Sequence, residues 1–323
     1  MTVDVNELRP ITMRLICQEF NRLKIEHEWI KDRPSLVRAL INGRWRYMRS
    51  CLTELSSPVG VSISGDKPTS MIVAKRLGLT VPDWLSVDTY NSAKDLFSKH
   101  NNLVVKPLSG SHGSGVTIGV RTQQDLKAAL KVAHQAYDSS RYLIQQQVFG
   151  RDIRALVVGG KVVAATERIP AGVVGDGQKN IEELIRFENQ NNPLRASGYS
   201  TPLNVIDEEA AARFLGRKIY EVPSIGQHVQ VVGASNIGLG GTSRDMTRIL
   251  PKEIERQAEV IANEVGLFVC GVDFIAGDIN DSSSYYFIEM NSCPSFGLHI
   301  YPSEGDSQPV DKEFVCSLIA SIK

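Results

Sequence analysis

No run of about 18 apolar residues, the length a membrane-spanning helix needs, occurs anywhere in this 323-residue chain. The opening stretch MTVDVNELRP lacks the apolar core of a secretory leader, so the expected location is the cytoplasm. An excess of one charge is missing too. Thirty-six basic and 36 acidic residues leave a formal net charge of zero, which removes the broad field that draws nucleic acid or an anionic membrane to a protein. Only a local basic pocket is compatible with that balance. Cysteine is scarce: its five copies (Cys17, Cys51, Cys270, Cys293, Cys316) are odd in number and dispersed, with no CxxC pair to hold zinc or run a dithiol couple. Reduced, structural thiols are the expectation.

What is present is ordinary globular material, 42% hydrophobic and 22% charged, ample for a packed core in two or three lobes. Apolar residues at helical spacing from Ile11 to Leu23 give way to the strand-like alternation of Ile25, His27 and Trp29. Asn42-Gly43 then stands between two strand-like runs, as a two-residue hairpin turn requires. Residues 1–64 therefore read as a small α/β unit. A helix over Thr69–Leu77, closed by Gly78, opens a second unit near residue 65. It continues through the strands NLVVKPL, GVTIGV and RYLIQQQV, with the helix TQQDLKAALKVAHQAY between the last two. That unit spans 65–148.

Residues 149–323 hold a hairpin, IRALVVGGKVVAATERI, turning at Gly159-Gly160, and a polar, helical excursion over 175–227. After the strand HVQVV, a helix in PKEIERQAEVIANEVG starts with proline and stops at Gly266, before the strands VCGVDFIAG and YYFIEM.

Two stretches carry chemistry. In KPLSGSHGSGV, Gly110, Gly113 and Gly115, with Ser111 among them, let backbone amides close over an anion while Lys106 supplies a cation. The loop lies between strands and opens no helix, so it is neither a Walker nor a Rossmann loop. A flexible hairpin is the alternative. In IEMNSCPSFG, Glu289 and Asn291 are two apart on a strand and face one way, where Asp273 of the preceding strand can join them around a hard cation. The competing reading makes Glu289 and Asn291 a surface strand end. Against it, Asp273 is flanked by Val272 and Phe274, and an unpaired carboxylate there is costly.

These blocks, with DKPTSMIVAKRLGLTVP, GRDIRALVVGGKVVAATERIPAGVVGDGQKNIEELI, NIGLGGTSRDMT and IEMNSCPSFGLHIYPSEG, resemble in order the ATP-grasp family of carboxylate–amine ligases over residues of about 62–310. The resemblance is nearest to the ATP-grasp portions of cyanophycin synthetase and bifunctional glutathione synthetase. It implies an α+β, ATP-grasp fold: two α/β lobes clasping ATP, preceded by the small N-terminal α/β unit. It further implies that Lys67 and Lys106 contact phosphates, Gln145 and Val148 border adenine, and Asp152 holds the ribose. Magnesium, or manganese, falls to Asp273, Glu289 and Asn291, while Arg154, Arg168 and Asn236 attend the transferred phosphoryl group. Gln145 stands where many relatives have glutamate, and Asp306-Ser307-Gln308 where the cyanophycin enzyme has basic residues, which argues against a peptide-polymer substrate. Cys293 and His299 are expected to line the substrate pocket.

The implied activity joins a small-molecule carboxylate to an amine, both amino acids or short peptides, through an acyl phosphate. No nucleic acid or membrane partner is expected, and self-association is left open. A kinase, a carboxylate–thiol ligase and a non-catalytic ATP-binding regulator remain the alternatives.

Overall fold

The computed structural model describes residues 10–30, 33, 35–87, 94–108, 115–136, 141–196 and 203–322. Its first helix, α1 (Ile11–Arg22), turns Met13, Ile16, Cys17 and Phe20 fully inward. An antiparallel meander follows in the order β1 (His27–Trp29), β2 (Leu36–Ile41), β3 (Arg44–Arg49) and β4 (Leu52–Thr53). Asn42 (φ 49°) and Gly43 (φ 77°) form the tight turn between β2 and β3, both left-handed as that turn demands.

Two proline-started helices come next, α2 (Pro58–Gly65) and α3 (Lys67–Arg76), capped by the side chains of Ser57 and Asp66. The sequence reading found α3 and passed over α2. The glycine- and serine-rich PVGVSISG has weak helix propensity, and packing stabilises the helix instead. Val61, Ile63, Met71 and Ala74 join Phe274 and Phe287 in one cluster, so residues 65–79 pack on the second lobe's sheet.

The first lobe's sheet has the order β5-β8-β6-β7, built from β5 (Trp84–Val87), α4 (Lys94–Lys99), β6 (Leu103–Pro107), β7 (Thr117–Val120), α5 (Gln123–Ala136) and β8 (Tyr142–Gln146). The strand β5 and the short α4 had no counterpart in the sequence reading. Period-2 alternation divides the sheet. Leu103, Val105, Tyr142 and Ile144 pack with α5 residues Leu126, Ala129 and Ala133, while Val104, Lys106 and Gln145 turn to the opposite side.

The remainder runs β9 (Arg151–Val158), β10 (Lys161–Ile169), β11 (Gly172–Val174), α6 (Ile181–Asn191), α7 (Glu208–Leu215), β12 (His228–Gln230), β13 (Thr242–Asp245), α8 (Lys252–Glu264), β14 (Val269–Ala276), β15 (Tyr285–Asn291), α9 (Gly297–Ile300) and α10 (Val310–Ser321). Its five-stranded sheet is antiparallel throughout, in the order β13-β10-β9-β14-β15. The β11–β12 ribbon ties off the excursion, which keeps its own small cluster around Ile181, Ile185, Ile206 and Val232.

One face of the large sheet, with Ile153, Ala155, Val157 and Val272, packs on α8, α2 and α3. On the other, Leu156, Val158 and Val269 share a cluster with Phe20, Val37 and Met48 of the N-terminal elements and with Phe314 of α10. The unit drawn at residues 1–64 thus has no cluster to itself among the described residues. Beyond that cover the same sheet face turns charged. Among the described residues, no helix is long and apolar enough to cross a membrane.

Candidate functional site

A cleft of about 1140 Å³ lies over this charged face, roofed by Val104, Lys106 and Gln145 of the first lobe and bordered by Thr12 and Ser50 of the N-terminal elements. Pockets for one small molecule run to roughly 300–1,000 Å³, so this volume accommodates a nucleotide and a second ligand together.

Strand alternation builds the floor. Asp152 and Arg154 are two apart on β9; Arg168 of β10 stands opposite Asp152, and Asp273 of β14 stands opposite Arg154. Arg154 donates from Nε and Nη2 to the two oxygens of Asp273, each at 2.7 Å, and Arg168 Nη1 approaches Asp273 Oδ2 at 3.0 Å. Arg168 also donates from Nε and Nη2 to Asp152 Oδ1, at 2.9 and 2.7 Å. Asp273 is 0% exposed. Burial alone pushes its carboxyl up, but the charges and hydrogen bonds of Arg154 and Arg168 outweigh that and hold it below the ordinary carboxylate range. Burial carries Asp152 up to about 6, against the pull of Arg168. Gly271 makes this packing feasible, because a Cβ there would meet Pro294 at 3.0 Å and the Arg154 side chain at 3.4 Å.

Glu289 pairs directly with Asp273 across the β14–β15 ladder, and Asn291 pairs with Gly271. Both side chains line the cleft. Asn291 Nδ2 is buried and has no hydrogen-bond partner among the described residues. Opposite the floor, Lys106 is 6% exposed, and burial lowers its ammonium to about 8 despite the nearby charge of Glu289. Lys67, the first residue of α3, lines the cleft beside it.

Gln145 is buried with Oε1 unpartnered among the described residues, and Val148 borders the same space. Gly115 has φ 74°, and a Cβ there would lie 2.8 Å from Ala136 Cβ, so glycine is required at the base of that loop. Gly110, Ser111 and Gly113 lie outside the described residues.

Asn236 also lines the cleft, with its Oδ1 accepting from Gly238 N at 2.7 Å to shape its own loop. Gly240 and Gly241 are not on the cleft wall: Ile206 Cα would stand 2.5 Å from a Cβ at 240. Cys293 lines the cleft, whereas His299 is 2% exposed and does not. On the one-turn helix α9 it is Leu298 that faces the space. Burial and the charge of Arg154 lower the His299 imidazole to about 3.

Sequence reasoning missed Arg195, whose Nη1 donates to Asn204 O at 2.7 Å and Gly240 O at 2.9 Å, pinning the 236–240 loop. It also missed Arg151 and Glu167, joined at 2.6 Å on the cleft wall, and the contribution of Thr12 and Ser50. Arg151 and Glu167 sit in the charged ends of their strands, a readable signal; nothing about Thr12 or Ser50 in a chain of ordinary residues marks them.

A divalent cation is compatible with this donor set. Both oxygens of Asp273 are already engaged by guanidinium groups, and among the described residues no cluster of three acidic, histidine or cysteine ligands is preassembled. Glu289 and the Asn291 amide supply one carboxylate and one neutral oxygen. Magnesium takes such a sparse set when phosphate oxygens complete the shell.

A family model for the RimK-like ATP-grasp domain matches residues 64–183. Cyanophycin synthetase of Trichormus variabilis is 31% identical over 267 residues, which are 80% of this chain and 29% of that protein. The glutathione biosynthesis bifunctional protein of Pasteurella multocida is 29% identical over 286 residues, covering 84% of this chain and 37% of that one. The chain thus spans about a third of the curated relatives it matches. The crystal structure of the Pasteurella multocida bifunctional glutathione synthetase superposes with a TM-score of 0.70 at 26% identity, covering 97% of this chain and 44% of that chain.

Proposed function

This chain carries a RimK-like ATP-grasp domain on an ATP-grasp fold, and from that premise we propose that it is an ATP-dependent carboxylate–amine ligase. It transfers the γ-phosphoryl group of ATP to a substrate carboxylate; an amine then attacks the acyl phosphate, forming an amide and releasing ADP and phosphate. The observation that carries this reading is the floor of the cleft, where Arg154, Arg168, Glu289 and Asn291 gather beneath Lys106 and, among the described residues, no nucleophile–base pair stands beside them. Such a set stabilises charge on phosphates without supplying a covalent intermediate.

In this reading Lys67, Lys106 and the amides of the 110–115 loop bind the phosphates, Gln145 and Val148 border the adenine, and Asp152 lies on the ribose side. The planar forks of Arg154 and Arg168 suit an acyl phosphate, and Asn236 bounds the same space. Glu289 and Asn291 hold magnesium, with Asp273 behind them; the bound cation offsets charge on the phosphates. Closure of the first lobe, drawn at 65–148 but with residues 65–79 packed on the second lobe's sheet, over the lobe drawn at 149–323 excludes water that would hydrolyse the acyl phosphate. The acid and the amine are small molecules of the amino-acid or short-peptide class.

The test follows the oxygen. Carboxylate labelled with heavy oxygen delivers label to inorganic phosphate alongside ADP, since an oxygen of the acid departs with the phosphate. Label in AMP, or a stable phosphorylated product without free phosphate, overturns this mechanism. A screen of amino acids and dipeptides for stimulated phosphate release identifies the pair.

A further inference from the structure

Two of the five cysteines, far apart in sequence, meet at the edge of the cleft. Cys51, 1% exposed, follows β3, and its Sγ lies 3.8 Å from Sγ of Cys293 and 3.4 Å from the carbonyl oxygen of Pro294. Cys293 is exposed and lines the cleft two residues after Asn291. A disulfide needs about 2.05 Å between sulfurs, so closure of this pair moves them together by roughly 1.8 Å. Ser50, held at φ 52° beside Cys51, also lines the cleft. An accessible sulfur with a buried resolving thiol in contact is the arrangement of a peroxide-responsive cysteine.

We propose that Cys51 and Cys293 form a reversible disulfide under hydroperoxide, tethering the Arg49–Cys51 turn to the segment after Asn291 and narrowing the mouth of the cleft. The Cys293 thiolate attacks the O–O bond of the peroxide, giving a sulfenic acid, and the departing hydroxide or alkoxide takes up a proton. Cys51 sulfur then attacks the sulfenic sulfur; the S–S bond forms, hydroxide leaves, and the Cys51 proton goes with it as water. The two sulfurs supply the two electrons that reduce the peroxide, and an external dithiol restores both thiols. Cys316, exposed, and Cys17 and Cys270, buried, lack such a contact and remain thiols.

The experiment exposes the fully reduced chain to stoichiometric hydrogen peroxide, traps thiols with an alkylating agent, and reads intact mass and cysteine peptides. The expected result is a loss of about 2 Da, a Cys51–Cys293 linked peptide, three alkylated cysteines and full reversal by dithiothreitol. In Cys51→Ser, which lacks the resolving thiol, one equivalent of peroxide leaves Cys293 as a sulfenic acid and a second equivalent carries it to sulfinic acid. Five alkylated cysteines after treatment, a linkage through Cys316, or a sulfinic Cys293 beside an alkylated Cys51 in the native chain would each overturn the proposal. The effect on turnover rests on the ligase reading: phosphate release falls at least about tenfold on oxidation and returns on reduction. A disulfide that leaves phosphate release unchanged overturns the narrowing of the cleft. A reduced chain that releases no phosphate with any substrate, yet forms the linked peptide, overturns the ligase reading and sustains the disulfide.

Discussion

At the scale of single residues, Asp273 and Glu289 face each other across one ladder position and have different tasks. Asp273 neutralises two guanidinium groups in a site with no exposure, so Asp273→Asn leaves buried cations uncompensated. The expected outcome is a loss of about 3–5 kcal/mol of stability, read by chemical denaturation, in addition to lost turnover. Glu289→Gln keeps the fold within experimental error and removes magnesium-dependent nucleotide affinity, with turnover falling about 100- to 1,000-fold. Equal stability losses in the two variants would refute this division.

Lys106 adds a pH signature. Its folded pKa, about 8, lies below the ordinary lysine value, so between that pH and about 10.5 the unfolded chain binds more protons and this group's destabilising effect lessens as pH rises. Nucleotide phosphate prefers the charged form, which sets the opposite trend for binding. Apparent ATP affinity should therefore weaken above pH 8 by up to about tenfold per unit, and Lys106→Met should weaken binding at neutral pH and abolish that slope in calorimetry.

Among elements, the β14–β15 hairpin shows best how local pattern and ladder geometry combine. Tyr285 and Phe287 enter the core cluster, and strict alternation would send Glu289 in after them. The register slips between Asp273 and Phe274, leaving Ile288 as the extra residue of a bulge. Met290 takes over on the core side, and Glu289 and Asn291 emerge into the cleft. Deleting Ile288 closes the bulge and leaves Phe287 and Glu289 on consecutive rungs, so plain alternation keeps Phe287 in the core and Glu289 in the cleft, and the variant should fold with its nucleotide affinity retained. An unfolded product, or loss of nucleotide affinity in a folded one, would show that alternation alone does not aim Glu289. A related constraint joins β9 to β14: Gly150 has φ 150°, and a Cβ there would stand 2.1 Å from Ala276 O. Gly150→Ala should cost about 1–3 kcal/mol in a melt and shift the cleft-lining Asp152.

At the scale of the whole molecule, the N-terminal elements and the large sheet share one core, in which Phe296 and Phe268 both meet Phe314 edge-on. A chain starting at residue 57 would expose Leu156, Val158 and Phe314 and should fail to fold, and Phe20→Ala should cost about 3–5 kcal/mol. Independent folding of the shortened chain would contradict the shared core. Much of the architecture was legible in residues alone. Helix and strand periods located α1, α3, α5, α8 and the β2–β3 and β9–β10 hairpins, since Asn42-Gly43 and Gly159-Gly160 mark turns by local backbone preference. The convergence of Lys67, Lys106, Glu289 and Asn291 on one cleft was anticipated too, because a lysine at a strand end and carboxylate-bearing strand ends are what phosphate and hard cations call for. Periodicity says which side chains are buried and is silent about what buries them. The assignment of α2 and α3 to the second lobe, the bulge that aims Glu289, the arginines that claim both oxygens of Asp273 and the meeting of Cys51 with Cys293 all depend on contacts between residues distant in the chain. Such contacts are set by packing the whole core at once, and only the tertiary structure decides them.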